Sequence, residues 1–279
     1  MTEKHMFISD LDGTLFRSDR RFSNKDLDRL TLLGEMGITR VLATGRSVFS
    51  LQRSVPEPLP FDYLIFSTGL GIAHYPDSNQ QIIKSHGLTE EQTTEVTELF
   101  KELSLDFMIH DPLPHNHSFS FDYPSGNNPD FMTRIGFYEN HCREMGNGRG
   151  KPEPSSQFIT MVPASSGLGL YHHIKEHLDH FSVIKTTSPF DGKTMWIEVF
   201  PKDVSKGNAV LWLADQLGID RKNIAAVGND YNDEDLLEIA DKAYVVENAP
   251  EDLKRRFTVV SSNDNEGVSD AVMAAFGVR

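Results

Sequence analysis

The chain has 279 residues, of which 38% are hydrophobic and 24% charged, enough for one large globular domain or two smaller ones. Its 27 basic and 41 acidic residues give a net charge of −14, which argues against nucleic acid or anionic membranes as main partners, since both attract clustered Lys and Arg. A single cysteine excludes an internal disulfide, and the absence of a long apolar window or a signal-peptide pattern predicts a cytoplasmic protein.

The first third of the chain alternates between strand-like and helix-like segments. An apolar strand in "HMFISD" precedes a helix in "SNKDLDRLTLLGEMG", where Ser23 and Asp26 have the spacing of a capping box. Two more apolar strands follow in "ITRVLATGR" and "YLIFST". Nearly continuous apolar strands joined by helices predict a parallel sheet that is covered on both faces.

The middle of the chain has a different pattern. A long amphipathic helix begins at Thr89, with Gln92 completing a capping box, and "DFMIHD" and "SFSFDYP" follow as short alternating strands of an antiparallel sheet. After residue 201 the β-α alternation returns and continues to a last helix that ends at Phe276. We therefore predict one α/β domain formed by residues 1–85 and 201–279, with an inserted α+β domain over residues 86–200.

Four polar clusters lie at predicted strand ends or at the start of a helix. They are Asp10 and Asp12 in "ISDLDGTL", residues 44–46 in "ATGR", Lys206 in "DVSKGNA", and residues 228–233 in "GNDYND". In an open parallel sheet, functional groups gather beyond the carboxyl ends of the strands. Carboxylates from two strand ends, a hydroxyl, a glycine amide and a lysine describe a site for a divalent cation and a phosphoryl group.

Asp10 and Asp12 are one residue apart, and their like charges repel. A Mg²⁺ ion between Asp10 and the acidic loop 229–233 would offset that repulsion. Each cluster taken alone also has a structural interpretation, as a turn, a helix N-cap or a solvated charge. The occurrence of all four in this order is what predicts a phosphoryl-transfer site.

The segments "DLDGTL", "TGR", "SKG" and "GNDYND", in this order, resemble the four motifs of the haloacid dehalogenase superfamily, most nearly its Cof-like (subfamily IIB) sugar-phosphatase branch. The resemblance covers essentially the whole chain. It implies an α/β fold with a Rossmann-like, doubly wound parallel-sheet core and an inserted α+β cap that sets substrate specificity. The implied activity is Mg²⁺-dependent hydrolysis of a small phosphorylated metabolite, a sugar phosphate above all, through an aspartyl-phosphate intermediate.

The same resemblance assigns expected roles to the core residues. Asp10 is the expected nucleophile, because a carboxylate is already ionised at neutral pH and needs no activating base. Asp12 is expected to act as general acid and then as general base, with its backbone carbonyl as a metal ligand. The expected contacts to the phosphoryl oxygens are Thr44, Gly45, Arg46 and Lys206, and for Arg46 a structural salt bridge is an equal alternative.

The fourth motif departs from the family pattern. The family usually places an aspartate directly after the first glycine of this motif, whereas here that position is Asn229 and the acid follows at Asp230. Aligned on Asn232 and Asp233, Asn229 is the expected metal ligand through its amide oxygen, and in a bulged loop Asp230 takes that place instead. The predicted metal ligands are Asp10, Asp12, Asn229, Asp230 and Asp233.

In the inserted segment, "HDPLPHNHSF" groups three histidines with Asp111. This group is read either as a transition-metal cluster or as a hairpin rim, and we expect substrate contacts from His115, His117 and Arg134. A phosphomutase or phosphotransferase would share the core chemistry. A non-enzymatic phospho-accepting module is a further alternative, although it would lack both the inserted domain and an acid two residues after the nucleophile.

Overall fold

The computed structural model describes residues 3–55, 57–76, 81–146 and 153–278. The chain divides into two compact units. The first comprises Met1–Arg46, Leu51–Lys84 and Ser205–Arg279, and the second comprises Ser47–Ser50 and Ser85–Val204. Among the described residues, no helix has both the length and the apolar character that crossing a bilayer requires.

Fourteen strands are found in the described residues. In chain order they are β1 (Met6–Ser9), β2 (Thr39–Ala43), β3 (Tyr63–Phe66), β4 (Gly71–His74), β5 (Ile82–Ser85), β6 (Phe107–His110), β7 (Phe119–Asp122), β8 (Cys142–Glu144), β9 (Phe158–Pro163), β10 (Ser182–Thr187), β11 (Thr194–Phe200), β12 (Ile224–Gly228), β13 (Lys242–Val246) and β14 (Thr258–Val260).

The α-helices of the same residues are α1 (Asn24–Glu35), α2 (Val48–Ser54), α3 (Glu90–Glu102), α4 (Pro129–Phe137), α5 (Ala164–His177), α6 (Lys206–Leu217), α7 (Glu234–Ile239), α8 (Glu251–Lys254) and α9 (Gly267–Phe276).

The first unit contains an eight-stranded sheet in the order β14-β13-β12-β1-β2-β3-β4-β5. Neighbours from β14 to β3 run parallel, whereas β4 is antiparallel to β3. The predicted parallel-sheet core is confirmed, and β4 adds an antiparallel strand to it. In the segment "STGLGI", Ser67–Gly69 form a 3-10 turn, and the chain then runs back as β4 from Gly71, a strand that the sequence did not predict.

Alternate residues of β1 show why both faces of this sheet are covered. Met6 and Ile8 are fully buried in a core cluster that includes residues of α6 and α7. Phe7, also fully buried, points to the other face, where its ring centroid lies 6.2 Å from that of Phe276 on α9. Because β1 is the central strand, its carboxyl end lies between those of β12 and β2, and Ser9 is in register with Val227 and Leu42.

Of the two predicted capping boxes, one is confirmed. At α3, Gln92 N donates to Thr89 Oγ1 (3.2 Å) and Thr89 N donates to Gln92 Oε1 (3.0 Å). At α1, the Ser23 side chain makes no capping hydrogen bond, and the buried Asp26 carboxylate accepts from Ser269 N of α9 (2.8 Å). A tertiary contact has replaced the local one.

The second unit is built on a six-stranded sheet in the order β10-β11-β9-β6-β7-β8. All of its neighbouring strands are antiparallel except β7 and β8, which run parallel. One core cluster holds buried residues of α3 and α5, such as Phe100 and Ile174. A second cluster holds Phe131 of α4.

Candidate active site

The carboxyl end of the central strand β1 carries the first candidate residues. Asp10 directly follows the strand, donates its backbone N–H to Val227 O of β12 (3.0 Å), and is only 4% exposed. The chain then turns at Gly13, whose φ of +75° favours glycine. The turn brings the backbone carbonyl of Asp12 and the side chain of Asp10 to the same edge of the sheet.

Lys206, the first residue of α6, connects two of these carboxylates. Ser205 caps the helix by accepting from Asn208 N (3.1 Å), and this places Lys206 at the sheet edge. The fully buried Lys206 Nζ donates to Asp10 Oδ1 and to Asp233 Oδ1, each at 2.6 Å. The cation therefore lies between two buried anions.

These charges shift one another's ionisation. Burial raises the pKa of Asp10 to about 7, the Asp233 carboxylate adds to the rise, and Lys206 opposes it. Burial opposes the charged form of Lys206, but Asp10 and Asp233 outweigh burial and raise its pKa. The site thus holds more negative than positive charge, and an added cation would be stabilised there.

The two aspartates of the loop after β12 accept hydrogen bonds from backbone N–H groups of the same loop. Asp233 Oδ2 accepts from Asn229 N (2.9 Å) and Asp230 N (3.2 Å), while its Oδ1 is bound by Lys206. The Asp230 side chain accepts in turn from the backbone N–H of Asp233, which completes a capping box. Both aspartates, predicted as metal ligands, form hydrogen bonds within the loop, and Asp233 also pairs with Lys206.

The Asn229 side chain points toward the aspartates of β1. One terminal atom of its carboxamide lies 2.9 Å from Asp12 O, 3.2 Å from Asp10 Oδ2 and 3.1 Å from Thr14 Oγ1. The Asn229 side chain therefore lies against Asp10, as the first of the two registers considered for this loop requires, and its role as metal ligand stays a prediction.

The TGR segment follows β2, the strand beside β1. Arg46 makes a bidentate ion pair with Asp12, Nε to Oδ2 at 2.6 Å and Nη2 to Oδ1 at 2.7 Å, so its guanidinium is in a salt bridge, the alternative left open from sequence. Arg46 N donates to the hydroxyl of the buried Thr44 (3.1 Å). At Gly45, a Cβ would lie 3.6 Å from Thr68 Oγ1, and polar groups therefore surround this glycine.

The donors at this edge fit Mg²⁺. No group of three or more His, Cys, Asp or Glu side chains in the described part of the chain is arranged to hold a metal. An oxygen of the Asp10 carboxylate and the Asp12 carbonyl oxygen nevertheless lie within 3.2 Å of one terminal atom of the Asn229 carboxamide, a group that carries an oxygen of its own. Oxygen donors beside excess negative charge suit a hard divalent cation.

A family model of haloacid dehalogenase-like hydrolases matches residues 7–272, nearly the whole chain. The chain belongs to this family. It is 25% identical over 280 residues to the Bacillus subtilis 5-amino-6-(5-phospho-D-ribitylamino)uracil phosphatase YwtE, covering 93% of this chain and 94% of that protein.

Solved structures of related proteins share the fold of this haloacid dehalogenase-like hydrolase. Phosphatase BT1666 from Bacteroides thetaiotaomicron has a TM-score of 0.77 at 19% identity, over 99% of this chain and 96% of that one. The subclass IIB sugar phosphatase BT4131 has a TM-score of 0.74 at 16% identity, over 98% and 99%. The predicted family, α/β fold class and enzyme class, a haloacid dehalogenase-type phosphatase, are confirmed.

The candidate residues of the second unit have varied surroundings. His115 is exposed, and the His117 ring stacks on Phe49 with a centroid separation of 4.3 Å. The Arg134 guanidinium lies over the rings of Tyr138 (5.3 Å) and Trp196 (4.8 Å). These contacts hold His117 and Arg134 in place and leave their predicted role in substrate binding a prediction.

The other members of the histidine group have structural roles. His110 is buried, its Nδ1–H donates to Asn116 O (2.7 Å), and burial lowers its pKa to about 3, which keeps the ring neutral. Asp111 pairs with Arg143 (2.8 Å). Among the described residues, no group of three or more His, Cys, Asp or Glu side chains is arranged to hold a metal, so the structure gives the transition-metal interpretation of this segment no support.

Sequence reasoning missed three residues that support the site. Asn248 Nδ2 donates to Gly13 O (2.8 Å) and fixes the turn after Asp12. Asp235 Oδ2 accepts from Gly207 N (2.8 Å) and fixes the start of α6. Thr68 has a φ of +59° and a buried hydroxyl that has no hydrogen-bond partner among the residues that the structure describes. Asn248 and Thr68 both follow strand ends, so the strand-end rule could have found them.

Proposed function

We propose that this enzyme is a Mg²⁺-dependent phosphatase that hydrolyses a small phosphorylated metabolite, a sugar phosphate first among the candidates, through an aspartyl phosphate on Asp10. The observation that carries the proposal is the state of the Asp10 carboxylate. One oxygen is held by Lys206 at 2.6 Å, and the other faces the Asn229 carboxamide at 3.2 Å. A buried, oriented carboxylate with cationic support is suited to attack phosphorus.

Asp10 and Asp12 would have different catalytic roles, Asp10 as nucleophile and Asp12 as general acid and base. Asp10 attacks the phosphorus atom, and the bond from phosphorus to the ester oxygen breaks while Asp12 gives that oxygen a proton. Asp12 then takes a proton from the water that attacks the aspartyl phosphate, which releases phosphate and restores Asp10. In the structure Arg46 holds the Asp12 carboxylate by a bidentate pair, and at least one of these hydrogen bonds must open for Asp12 to carry the proton that it gives to the leaving oxygen.

The reaction also requires compensation of the negative charge on the phosphoryl oxygens. Lys206 offsets the negative charge of Asp10 and Asp233, and Thr44 and Gly45 lie at the adjacent strand end, where phosphoryl oxygens would be bound. Mg²⁺ held by Asp10, the Asp12 carbonyl and Asn229 would supply further compensation of charge. The relatives support a phosphorylated polyol or sugar, since YwtE is named for a phosphoribitylamino substrate and BT4131 as a sugar phosphatase.

The direct test is a screen of phosphorylated metabolites with Mg²⁺, scored by release of inorganic phosphate. We expect many turnovers on a subset of sugar phosphates and none in EDTA. Phosphate found on an added alcohol rather than in water would indicate a phosphotransferase. A single stoichiometric phosphorylation of the protein would indicate a phospho-accepting module and contradict the proposal.

Asp12→Ala is expected to lower the rate of phosphate release by about 10²–10⁴-fold, the usual contribution of a general acid–base group. A burst of leaving-group release followed by trapped phosphoprotein would show that water attack is also impaired. The matched control is Asp62→Ala. Asp62 makes a similar ion pair with Arg40, at 2.7 Å and with similar exposure, away from Asp10. An equal loss of phosphate release in both variants would mean that the loss follows from breaking an ion pair and not from removing a general acid–base group.

His115→Ala and Arg134→Ala are expected to change the order of preferred sugar phosphates more than the rate on a small aryl phosphate. The reason is that the core groups contact only the phosphoryl end of any substrate, so discrimination must come from elsewhere. Relative kcat/KM values across the screen measure this, with the exposed His172→Ala as control. A parallel fall for every substrate would assign these residues to stability or catalysis.

A further inference from the structure

The Asn229 carboxamide occupies an unusual position, because the atoms it faces favour its nitrogen. The inward terminal atom lies 3.2 Å from Asp10 Oδ2 and 2.9 Å from Asp12 O, and an ionised carboxylate and a backbone carbonyl can only accept hydrogen bonds. With Nδ2 turned inward, the two hydrogens of the amide can be donated to these two acceptors, and Thr14 Oγ1 lies within 3.1 Å as a third hydrogen-bonding group. With Oδ1 turned inward, it faces those two acceptors without a hydrogen between them.

The same spacing fits a ligand set. Magnesium binds oxygens at 2.0–2.1 Å in octahedral geometry, so neighbouring ligand oxygens are separated by about 3 Å. The distances of 2.9 and 3.2 Å from the inward atom to Asp12 O and Asp10 Oδ2 agree with that separation. An oxygen at the position of the inward atom therefore has the spacing from Asp12 O and Asp10 Oδ2 that a shared octahedral metal requires, whereas a nitrogen there donates hydrogen bonds to them.

The opposite end of the amide has room only because of a glycine. A Cβ on Gly13 would lie 2.6 Å from the outer terminal atom of the carboxamide. Meanwhile Asn229 N donates to Asp233 Oδ2 (2.9 Å), which fixes the backbone. The two ends of an amide have nearly the same shape, so the group can turn end over end without moving the loop.

We propose that Asn229 is a two-state residue of this site. Without metal, its NH₂ group bridges Asp10 Oδ2 and Asp12 O and stabilises them. When Mg²⁺ binds, the amide turns and its Oδ1 becomes a ligand. The inference rests on the proposed Mg²⁺ dependence. It adds that an asparagine at position 229, compared with an aspartate, lowers the affinity for Mg²⁺ and raises the stability of the metal-free protein.

The test is urea unfolding of wild type and Asn229→Asp in EDTA and across a series of Mg²⁺ concentrations. A carboxylate cannot bridge two acceptors and would add a third anion beside Asp10 and Asp233, so the EDTA midpoint should fall. It is also the better ligand for a hard cation, so the Mg²⁺ dissociation constant, obtained from the stabilisation, should fall about tenfold. The control is Asp230→Asn, which keeps a capping side chain and should change neither quantity by as much.

The outcomes separate this inference from the proposed function. If Mg²⁺ does not stabilise wild type, the proposed Mg²⁺ dependence is wrong. If it does, but Asn229→Asp is as stable as wild type in EDTA or binds Mg²⁺ no more tightly, the two-state role is overturned. A larger effect of Asp230→Asn on Mg²⁺ binding would overturn it as well.

A spectroscopic measurement needs no unfolding. The side-chain NH₂ resonances of Asn229 are identified by their loss in Asn229→Asp. We expect them to exchange slowly with solvent in EDTA, and to shift and exchange faster when Mg²⁺ is added, because their acceptors are then lost. Resonances unchanged by saturating Mg²⁺ would contradict the turn of the amide.

Discussion

Asp10→Asn is expected to abolish phosphate release, by about 10⁴-fold or more, while the protein stays folded. An amide cannot attack phosphorus to form an acyl phosphate. The fold should survive because Lys206 keeps its second partner, Asp233 Oδ1 at 2.6 Å, and because the substitution removes one of two close buried anions. Steady-state release of phosphate, together with circular dichroism and urea unfolding, measures both halves of this prediction.

A buried carboxylate elsewhere in the same unit provides the control for Asp10. Asp26 is fully buried and accepts from Ser269 N (2.8 Å), so Asp26→Asn makes the same chemical change away from the sheet edge. Its kcat should stay near that of wild type. Acid-quenched phosphoprotein should form on Asp12→Ala and not on Asp10→Asn. Normal turnover by folded Asp10→Asn would remove the aspartyl phosphate from the mechanism.

The alternation of strands and helices made it possible to predict which residues lie at the carboxyl edge of the sheet. Asp10, Thr44 and Asn229 each follow a strand, and parallel strands bring their carboxyl ends to one edge whatever their distance in sequence. The order of the strands decides which ends are adjacent, and β1 between β12 and β2 is the arrangement that brings these residues together.

The partners of each side chain were not predictable. The two carboxylates that Lys206 binds are 196 and 27 residues away in sequence, and hydrogen bonds at such separations depend on the folded backbone. Likewise, Asp26 has the spacing of a capping box, but its carboxylate accepts a hydrogen bond from the backbone of α9 instead. Local patterns state what a residue can do, and tertiary contacts decide which of those possibilities is realised.

The buried charge group makes Lys206 the residue whose loss should affect both stability and activity. Lys206→Met keeps the length of the side chain and removes its charge, which leaves Asp10 and Asp233 buried without their common cation. Breaking a buried pair in this way costs about 3–5 kcal/mol of unfolding free energy. Phosphate release should fall by about 10²-fold or more, because a preorganised positive charge is missing from the transition state.

Urea unfolding in EDTA, followed by the fluorescence of tryptophans that include Trp212 on the same helix, measures the stability change. Lys222→Met is the matched control, since its ammonium pairs with Glu3 (2.8 Å) at the surface and should contribute almost nothing. A double variant, Lys206→Met with Asp233→Asn, removes the uncompensated anion and should recover part of the stability but none of the activity. If Lys206→Met were as stable as Lys222→Met, the buried carboxylates would have to be protonated in that variant, and the proposed contribution of Lys206 to the stability of the folded protein would be wrong.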